Sequence, residues 1–289
     1  MARVTVVMDT TAYLPRDVTD RAGIKLVSLY YSFGDDAPSR EADLEDWSLF
    51  YDRLRTAETP PTTSPPTVQD FLAIYEPLLT GGGSVISLHI SSGLSETCAV
   101  ARRAVEELIT TGKAGDRIRV MDSASTAGQL GALALVAARA AAAGDDLETV
   151  FDLVRQARTE ARQWFLLDTL EYLRRGGRVG SAAAWIGSTL KIKPILSVES
   201  EMKAVERVRT RERGIDRLMD YGRQLHAAGA NAWWIQHNSV PEEADTFVER
   251  LKEIFLRPPE FRGGVGPVIG THTGPGLLGV GGLPPRFLE

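Results

Sequence analysis

The sequence predicts an α/β protein of two domains: an N-terminal Rossmann-like parallel sheet with flanking helices, and a C-terminal α+β domain with a mostly antiparallel sheet. Three observations carry this prediction. Short strand-like apolar runs alternate with helical patterns through the first half of the chain, the signature of strands joined by helical crossovers. Three of those runs end in similar polar clusters, VMDTT at 7–11, LHISS at 88–92 and VMDSAS at 120–125. Ligand sites in parallel sheets lie beyond the carboxyl ends of the strands, so the recurrence points to one polar rim. Beyond about residue 146 the texture changes to hairpin-like neighbouring strands mixed with helices.

The elements follow in order. Arg3–Met8 reads as a short buried strand ended by Asp9-Thr10-Thr11. A short helix is expected near Asp17–Ala22, one strand over Ile24–Ser32, and a helix over Leu44–Arg55. TAETPPTTSPPTVQD at 56–70 reads as a hydroxyl-rich loop whose prolines forbid regular ladder pairing. Thr67 is a good N-cap for the helix VQDFLAIYEPLL, which the glycines at 81–83 stop before the strand Val85–Leu88. A helix over 94–111, a strand at Arg117–Met121 and an alanine-rich helix over 125–143 complete the first half. Leu147–Arg162 is helical, and the domain boundary is placed near 160, giving domains 1–160 and 161–289. Trp164–Leu167 is strand-like, and LEYLRRGGRVG is a short helix stopped by two glycines. Ile192–Val198 and Lys203–Arg209 pair antiparallel around ESEMK. Arg211–Ala228 is a helix, Ala230–His237 a strand, Val240–Leu256 a helix, and Val265–Thr271 a strand ending in HTGPGLLGVGG.

Composition narrows the function. The 289 residues are 43% hydrophobic and 25% charged, with a net charge of −5, which argues against a nucleic-acid binder. The single cysteine, Cys98, permits no internal disulfide, and four scattered histidines do not suggest a metal site. The start, MARVTVVMD, lacks the apolar stretch of a signal peptide, and no apolar run approaches the roughly 20 residues of a membrane span. A soluble cytoplasmic protein is expected.

Several motifs bear chemistry, each with a bland alternative. Ser91-Ser92-Gly93 sits where a strand hands over to a helix, and free N–H groups there would welcome a phosphate or carboxylate; alternatively Ser92 only caps the helix. No nucleophile elbow is present, because Ile90 stands where its first glycine would be. Thr62-Thr63-Ser64-Pro65-Pro66 is either an ordinary loop or a rigid one presenting hydroxyls. His272, before a glycine-rich turn, could donate a hydrogen bond or act as a base. The arginines of RRGGRVG and VERVRTRER form a solvated face, or one of them meets an anion, with Arg207, Arg209 and Arg211 alternating onto one side. Asx turns explain Asp9 and Asp122.

Five segments, in order, resemble a known family. VVMDTTAYLP is similar to its D-S-x-A-x-L-P start, TTSPPT to T-S-Q-P-S, and ISSGLSETCAVA to I-S-S-x-L-S-G-T-Y-Q-S-A. LEYLRRGGRVG with LKIKPIL resembles L-x-Y-L-x-x-G-G-R-I…L-x-I-K-P-I-L, and HTGPGLLG resembles H-x-G-P-G-A-x-G. Together they span residues 4–279, and they resemble the DegV family, whose characterised members are fatty-acid-binding proteins, the FakB-type subunits of bacterial fatty acid kinase. The resemblance implies a non-catalytic protein, without cofactor or metal, that buries one long-chain fatty acid in a tunnel between its domains. It implies carboxylate holders at Thr63 and Ser92, with Ser91 and Gly93 beside them, His272 near the head group, and Arg209 on the strand after K-P-I-L. It implies a separate ATP-dependent fatty acid kinase subunit as partner, delivery of acyl-phosphate to phospholipid synthesis, and transient membrane contact. Burying roughly 15 methylenes at ~0.8 kcal/mol each gives about 12 kcal/mol gross. The sequence departs from the family pattern at Pro65 (usually glutamine), Glu96 (usually glycine) and Cys98 (usually tyrosine). Two other readings stand beside it: an α/β enzyme, for example a serine hydrolase using Ser92 and His272, and a lipid sensor without a kinase partner.

Overall fold

Short apolar runs bounded by turn residues become the strands of the first sheet. In the computed structural model, which describes residues 3–186 and 192–289, β1 (Val4–Asp9) leads through a short helix α1 (Arg16–Arg21) to β2 (Lys25–Val27). β3 (Tyr30–Ser32), β4 (Ser39–Arg40), α2 (Ser48–Thr56) and β5 (Thr62–Ser64) follow. Next come α3 (Val68–Thr80), β6 (Ser84–His89), α4 (Thr97–Thr110), β7 (Ile118–Asp122), α5 (Ala127–Ala143) and α6 (Leu147–Glu160). β2, β1, β6 and β7 form a parallel sheet in that order. Every residue of β6 is buried, as a strand covered on both faces requires.

β8 (Arg162–Leu166) opens a second sheet directly after α6. α7 (Glu171–Arg175), β9 (Lys193–Glu199), β10 (Glu201–Val208), α8 (Arg211–Ala227) and β11 (Ala232–His237) follow. The chain ends through α9 (Pro241–Phe255), β12 (Phe261–Gly264), α10 (Pro267–Thr273) and β13 (Leu278–Leu283). The order is β10-β9-β8-β13-β11-β12, antiparallel except between β11 and β12. The alanine-rich α5 is buried on nearly every side because both sheets use it: it packs on β1 and β6 and also on β8, β11 and β13. One hydrophobic cluster therefore joins Val4, Met8 and Leu88 of the first sheet to Ala232, Trp234 and Leu283 of the second.

Three expectations are corrected. The single strand over Ile24–Ser32 is two, in different sheets. The Leu29 N–H donates to Thr10 Oγ1 (3.3 Å) and its carbonyl accepts from the Glu41 N–H (3.0 Å), which pulls the chain out of the parallel ladder. The threonine-proline segment is not an unpaired loop: Thr62–Ser64 pair antiparallel with β3 as part of a three-stranded sheet. Its prolines bracket the three paired residues, so no ladder N–H is missing. Finally, the expected strand Val265–Thr271 is the helix α10, begun by Pro267 at its first turn, while the glycine-rich run after it is the buried strand β13.

Candidate functional site

The polar rim predicted at the strand ends exists, but much of it is internal structure. Asp9 Oδ1 accepts from the Thr11 N–H (3.0 Å) and hydroxyl (2.6 Å), and Oδ2 accepts from the Ile90 N–H (2.8 Å). Oδ2 also faces His89 Nδ1 at 3.1 Å, His89 Nε2 meets Ser87 Oγ at 2.7 Å, and the Tyr75 hydroxyl donates to that same Oγ (2.7 Å). This Asp–His–Ser chain is buried throughout, so it pins the strand ends. Asp122 accepts from the N–H groups of Ala124 (2.7 Å) and Ser92 (3.2 Å), as the Asx reading expects. Cys98 lies beneath the same loop, and burial, with Asp122 nearby, pushes its thiol up to about 12, which leaves it inert.

Beside this rim lies a cavity of about 230 Å³ with a mainly apolar wall. Leu29, Ile90, Leu94 and Ala127 contribute from the side of the first sheet, and Phe165, Leu173, Met202, Ile269 and Leu277 from the side of the second. The wall also carries polar side chains, Thr63, Ser95, Arg178 and His272 among them, and separately Thr126, Gln163 and Gln236. Thr63, carried by β5, places Oγ1 2.9 Å from His272 Nε2, carried by α10. The placement of His272 is over-determined. The Glu41 carboxylate accepts from the Val268 N–H (2.8 Å) and from the Tyr13 hydroxyl (2.7 Å), and that hydroxyl accepts from the Ile269 N–H (3.1 Å), so the start of α10 is tied down. Past α10, Asn238 holds the GPG turn: its Nδ2 donates to the Gly274 carbonyl (3.0 Å) and its Oδ1 accepts from the Leu277 N–H (2.8 Å). Arg211 donates to the Gly276 carbonyl (2.8 Å) while paired with Asp168 (2.9 Å) and Glu243. On the other flank the imidazole lies directly on Gly176, where a Cβ would overlap Nδ1.

Burial, reinforced by the neighbouring Arg178 guanidinium, lowers the His272 pKa to about 4, so the ring is neutral at neutral pH. Its Nδ1 is buried and has no partner among the described residues. In the tautomer that carries the proton on Nε2, the ring donates to Thr63 Oγ1 and leaves the threonine hydroxyl free to donate to an anion in the cavity; in the other, Thr63 donates to Nε2. Ser95, whose Oγ lies 2.8 Å from Thr97 Oγ1, shares the wall with Thr63, and so do Glu96 and Arg178. Arg178 is the cation of this wall among the described residues; it also donates to the carbonyls of Gly176 (2.6 Å) and Leu94 (3.4 Å).

The residues expected to bind ligand thus divide. Thr63 and His272 come together in the cavity wall. Ser91 does not reach it: it is fully buried and its hydroxyl donates to the Ser200 carbonyl. Ser92 is exposed and outside the wall, and Gly93 is the point where the loop approaches Ser200 too closely for a side chain. The loop does reach the cavity, but two or three residues later, through Leu94, Ser95 and Glu96. Arg209 lies beyond the end of β10, exposed and away from the wall, and Arg211 is spent in its ion pairs, so the expected one-sided arginine row does not form. Arg178, from RRGGRVG, lines the cavity instead. Sequence reading marked the loop and the arginine cluster without resolving which member points inward. Among the described residues, no group of three or more His, Cys, Asp or Glu side chains is placed to hold a metal ion, and no helix is long and apolar enough to cross a membrane.

A family model described as an uncharacterised protein, DegV family, matches residues 3–284. A DegV domain-containing protein of Streptomyces coelicolor is 35% identical over 280 residues, covering 96% of this chain and 97% of that one. Among solved structures, a fatty-acid-binding DegV family protein from Thermus thermophilus is 30% identical with a TM-score of 0.86, covering 98% of this chain and 99% of its own. DegV of Bacillus subtilis, described as a fatty acid binding protein, is 32% identical with a TM-score of 0.85, covering 98% and 100%. Matched over nearly its whole length by the family model and by relatives of this similarity, the chain belongs to the DegV family.

Proposed function

We propose that this protein binds one long-chain fatty acid in the apolar cavity, with the carboxylate at the Thr63–His272 end. The observation that carries this reading is a mainly apolar cavity whose wall holds the Thr63–His272 pair together with Ser95 and Arg178. A carboxylate leaving water needs several donors. Thr63, Ser95 and Arg178 supply them, and neutral His272 orients the Thr63 hydroxyl. The solved relatives described as fatty-acid-binding proteins support the same reading. In this proposal the carboxylate is presented to a separate ATP-dependent fatty acid kinase subunit, and the protein carries the acyl-phosphate onward without itself catalysing the transfer. Glu96 and Arg178, both exposed beside the head-group end, are the charged groups such a partner would meet.

The hydrolase reading finds less support. Ser92 lies outside the cavity that His272 lines, and His272 Nε2 is engaged by Thr63. Native and denaturing mass spectrometry of the purified protein test the proposal. A bound mass released as a long-chain fatty acid is the expected result. A protein that arrives empty and takes up neither palmitate nor oleate would overturn it. Incubating the loaded protein with a fatty acid kinase subunit and ATP separates the carrier from a sensor, because only the carrier yields acyl-phosphate.

A further inference from the structure

Gln163 is a wall shared by two cavities of opposite character. One is the apolar cavity above. The other, about 510 Å³, is lined by Arg158, Arg162, Asp122 and Glu199. Gln163 belongs to both linings. Strand register places it at the end away from the head group. β13 starts at Leu278, just past the GPG turn that follows His272, and runs antiparallel to β8 with Gly279 opposite Phe165 and Gly281 opposite Gln163. Leu277, Gly279 with Phe165, and then Gln163 therefore succeed one another along the wall, each pair of residues adding roughly 7 Å.

The side chain is held there. Gln163 Oε1 accepts from Trp234 Nε1 (2.8 Å) and from the Gln129 N–H (3.0 Å) in the first turn of α5. That amide is otherwise one of the helix's unpartnered donors, because the N-cap residue Thr126 makes no side-chain cap bond. Trp234 in turn packs closely on Gly128 and Gly281, where a Cβ would overlap its ring.

We propose that Gln163 is the stop that sets the acyl length this protein accepts. The inference rests on the fatty-acid reading of the first cavity. The terminal methyl comes to rest against the Gln163 side chain. A longer chain must displace the amide from two hydrogen bonds and enter a polar space, where added methylenes gain no apolar burial. Up to the stop, each methylene contributes about fourfold in affinity (about 0.8 kcal/mol); beyond it the gain ends.

The test measures binding of the even-numbered saturated acids from dodecanoic to eicosanoic to the wild-type protein, Gln163→Ala and Gln163→Met. Affinity of the wild type is expected to rise and then fall at a limiting length. Gln163→Ala is expected to move that limit to a longer homologue, with at least a tenfold gain for the first acid beyond it. Gln163→Met, which keeps the volume, is expected to leave the limit in place. In parallel, an analogue of the best acid with a diazirine at its terminal carbon is crosslinked to the wild-type protein. Insertion at Gln163, Phe165 or Thr126 is expected, and this arm decides the matter if the alanine variant does not fold. An unchanged limit in folded Gln163→Ala, or crosslinks confined to the Thr63–His272 end, would overturn the stop while leaving the fatty-acid reading intact. A wild-type protein that binds none of the acids removes that reading, and the stop with it.

Discussion

His272 concentrates the chemistry of the site in one residue. Its pKa is lowered from 6.5 to about 4 by burial and then by Arg178. The folded state therefore resists a proton that the unfolded chain accepts. The stability this contributes is complete above pH 6.5 and is lost as pH falls toward 4. His272→Gln is expected to flatten the acid limb of stability between those values, read by chemical denaturation across pH in the absence of ligand; an unchanged limb would place the acid sensitivity elsewhere, for instance at His237, which burial also lowers to about 4. Around it, the hydroxyls are expected to separate by position. Thr63→Ala and Ser95→Ala should each weaken fatty-acid binding by about 1–3 kcal/mol, the usual cost of an unpaired buried polar group. Ser92→Ala should leave binding unchanged, because Ser92 is exposed outside the cavity. Isothermal titration with one acid compares the three, and loss of affinity in Ser92→Ala alone would return the head group to the start of the loop.

Short elements set the site, and α10 shows how. It has seven residues and carries His272. Its isolated stability is negligible at that length, so its position comes from Glu41, Tyr13 and the Asn238-clamped turn. Burial raises Glu41 from 4.5 to about 7, against hydrogen bonds from Thr10, Val268 and Tyr13 that favour the charged form. A raised carboxyl contributes stability that is complete below pH 4.5 and is lost as pH rises through 7. Glu41→Gln keeps an acceptor for the Val268 N–H and the Tyr13 hydroxyl without the buried charge. It is expected to be close to wild type near pH 5 and more stable at pH 8, by at most about 3 kcal/mol. Denaturant midpoints at the two pH values check this; greater loss at pH 8 than at pH 5 would show that the carboxylate charge itself holds α10. α7 acts on the other flank. Gly176→Ala should displace the imidazole from Thr63 and lower fatty-acid affinity at least tenfold with the fold retained, measured by titration alongside circular dichroism.

At the scale of the molecule, the cavity exists because two sheets pack on one helix and leave space between their facing surfaces. Phe165 and Gln236 face that space from the second sheet, Ile90 from just past β6 and Ala127 from the start of α5. A ligand buried there would contact both halves at once and so bind only the assembled state. Saturation with the proposed fatty acid at about 100 times Kd is expected to stabilise the protein by about 2.7 kcal/mol. Calorimetry should show one transition moving upward; a ligand-induced shift confined to one of two separate transitions would mean that only one half holds the acid.

What the sequence determined by itself was whatever is written in local physics. Apolar runs with turn signals became β1, β6 and β7. Thr67 became the N-cap of α3 in a reciprocal capping box with Asp70, and the alternation of strands and helices gave the first sheet. Five spaced motifs pointed to the family and marked Thr63 and His272 together although 209 residues separate them. Local signals failed where tertiary contacts outweighed them. Gly279, Gly281 and Gly282 suit a turn, yet they lie in β13 because Trp234, Phe165 and Ala230 leave no room there for side chains. Thr62–Ser64 suit a loop, yet a neighbouring strand supplies their partners. Only the tertiary structure decided which hydroxyl of ISSGLS and which arginine of RRGGRVG reach the cavity. Direction within a loop depends on what the loop packs against, here the Ser200 carbonyl and Gly176, and those contacts come from distant parts of the chain.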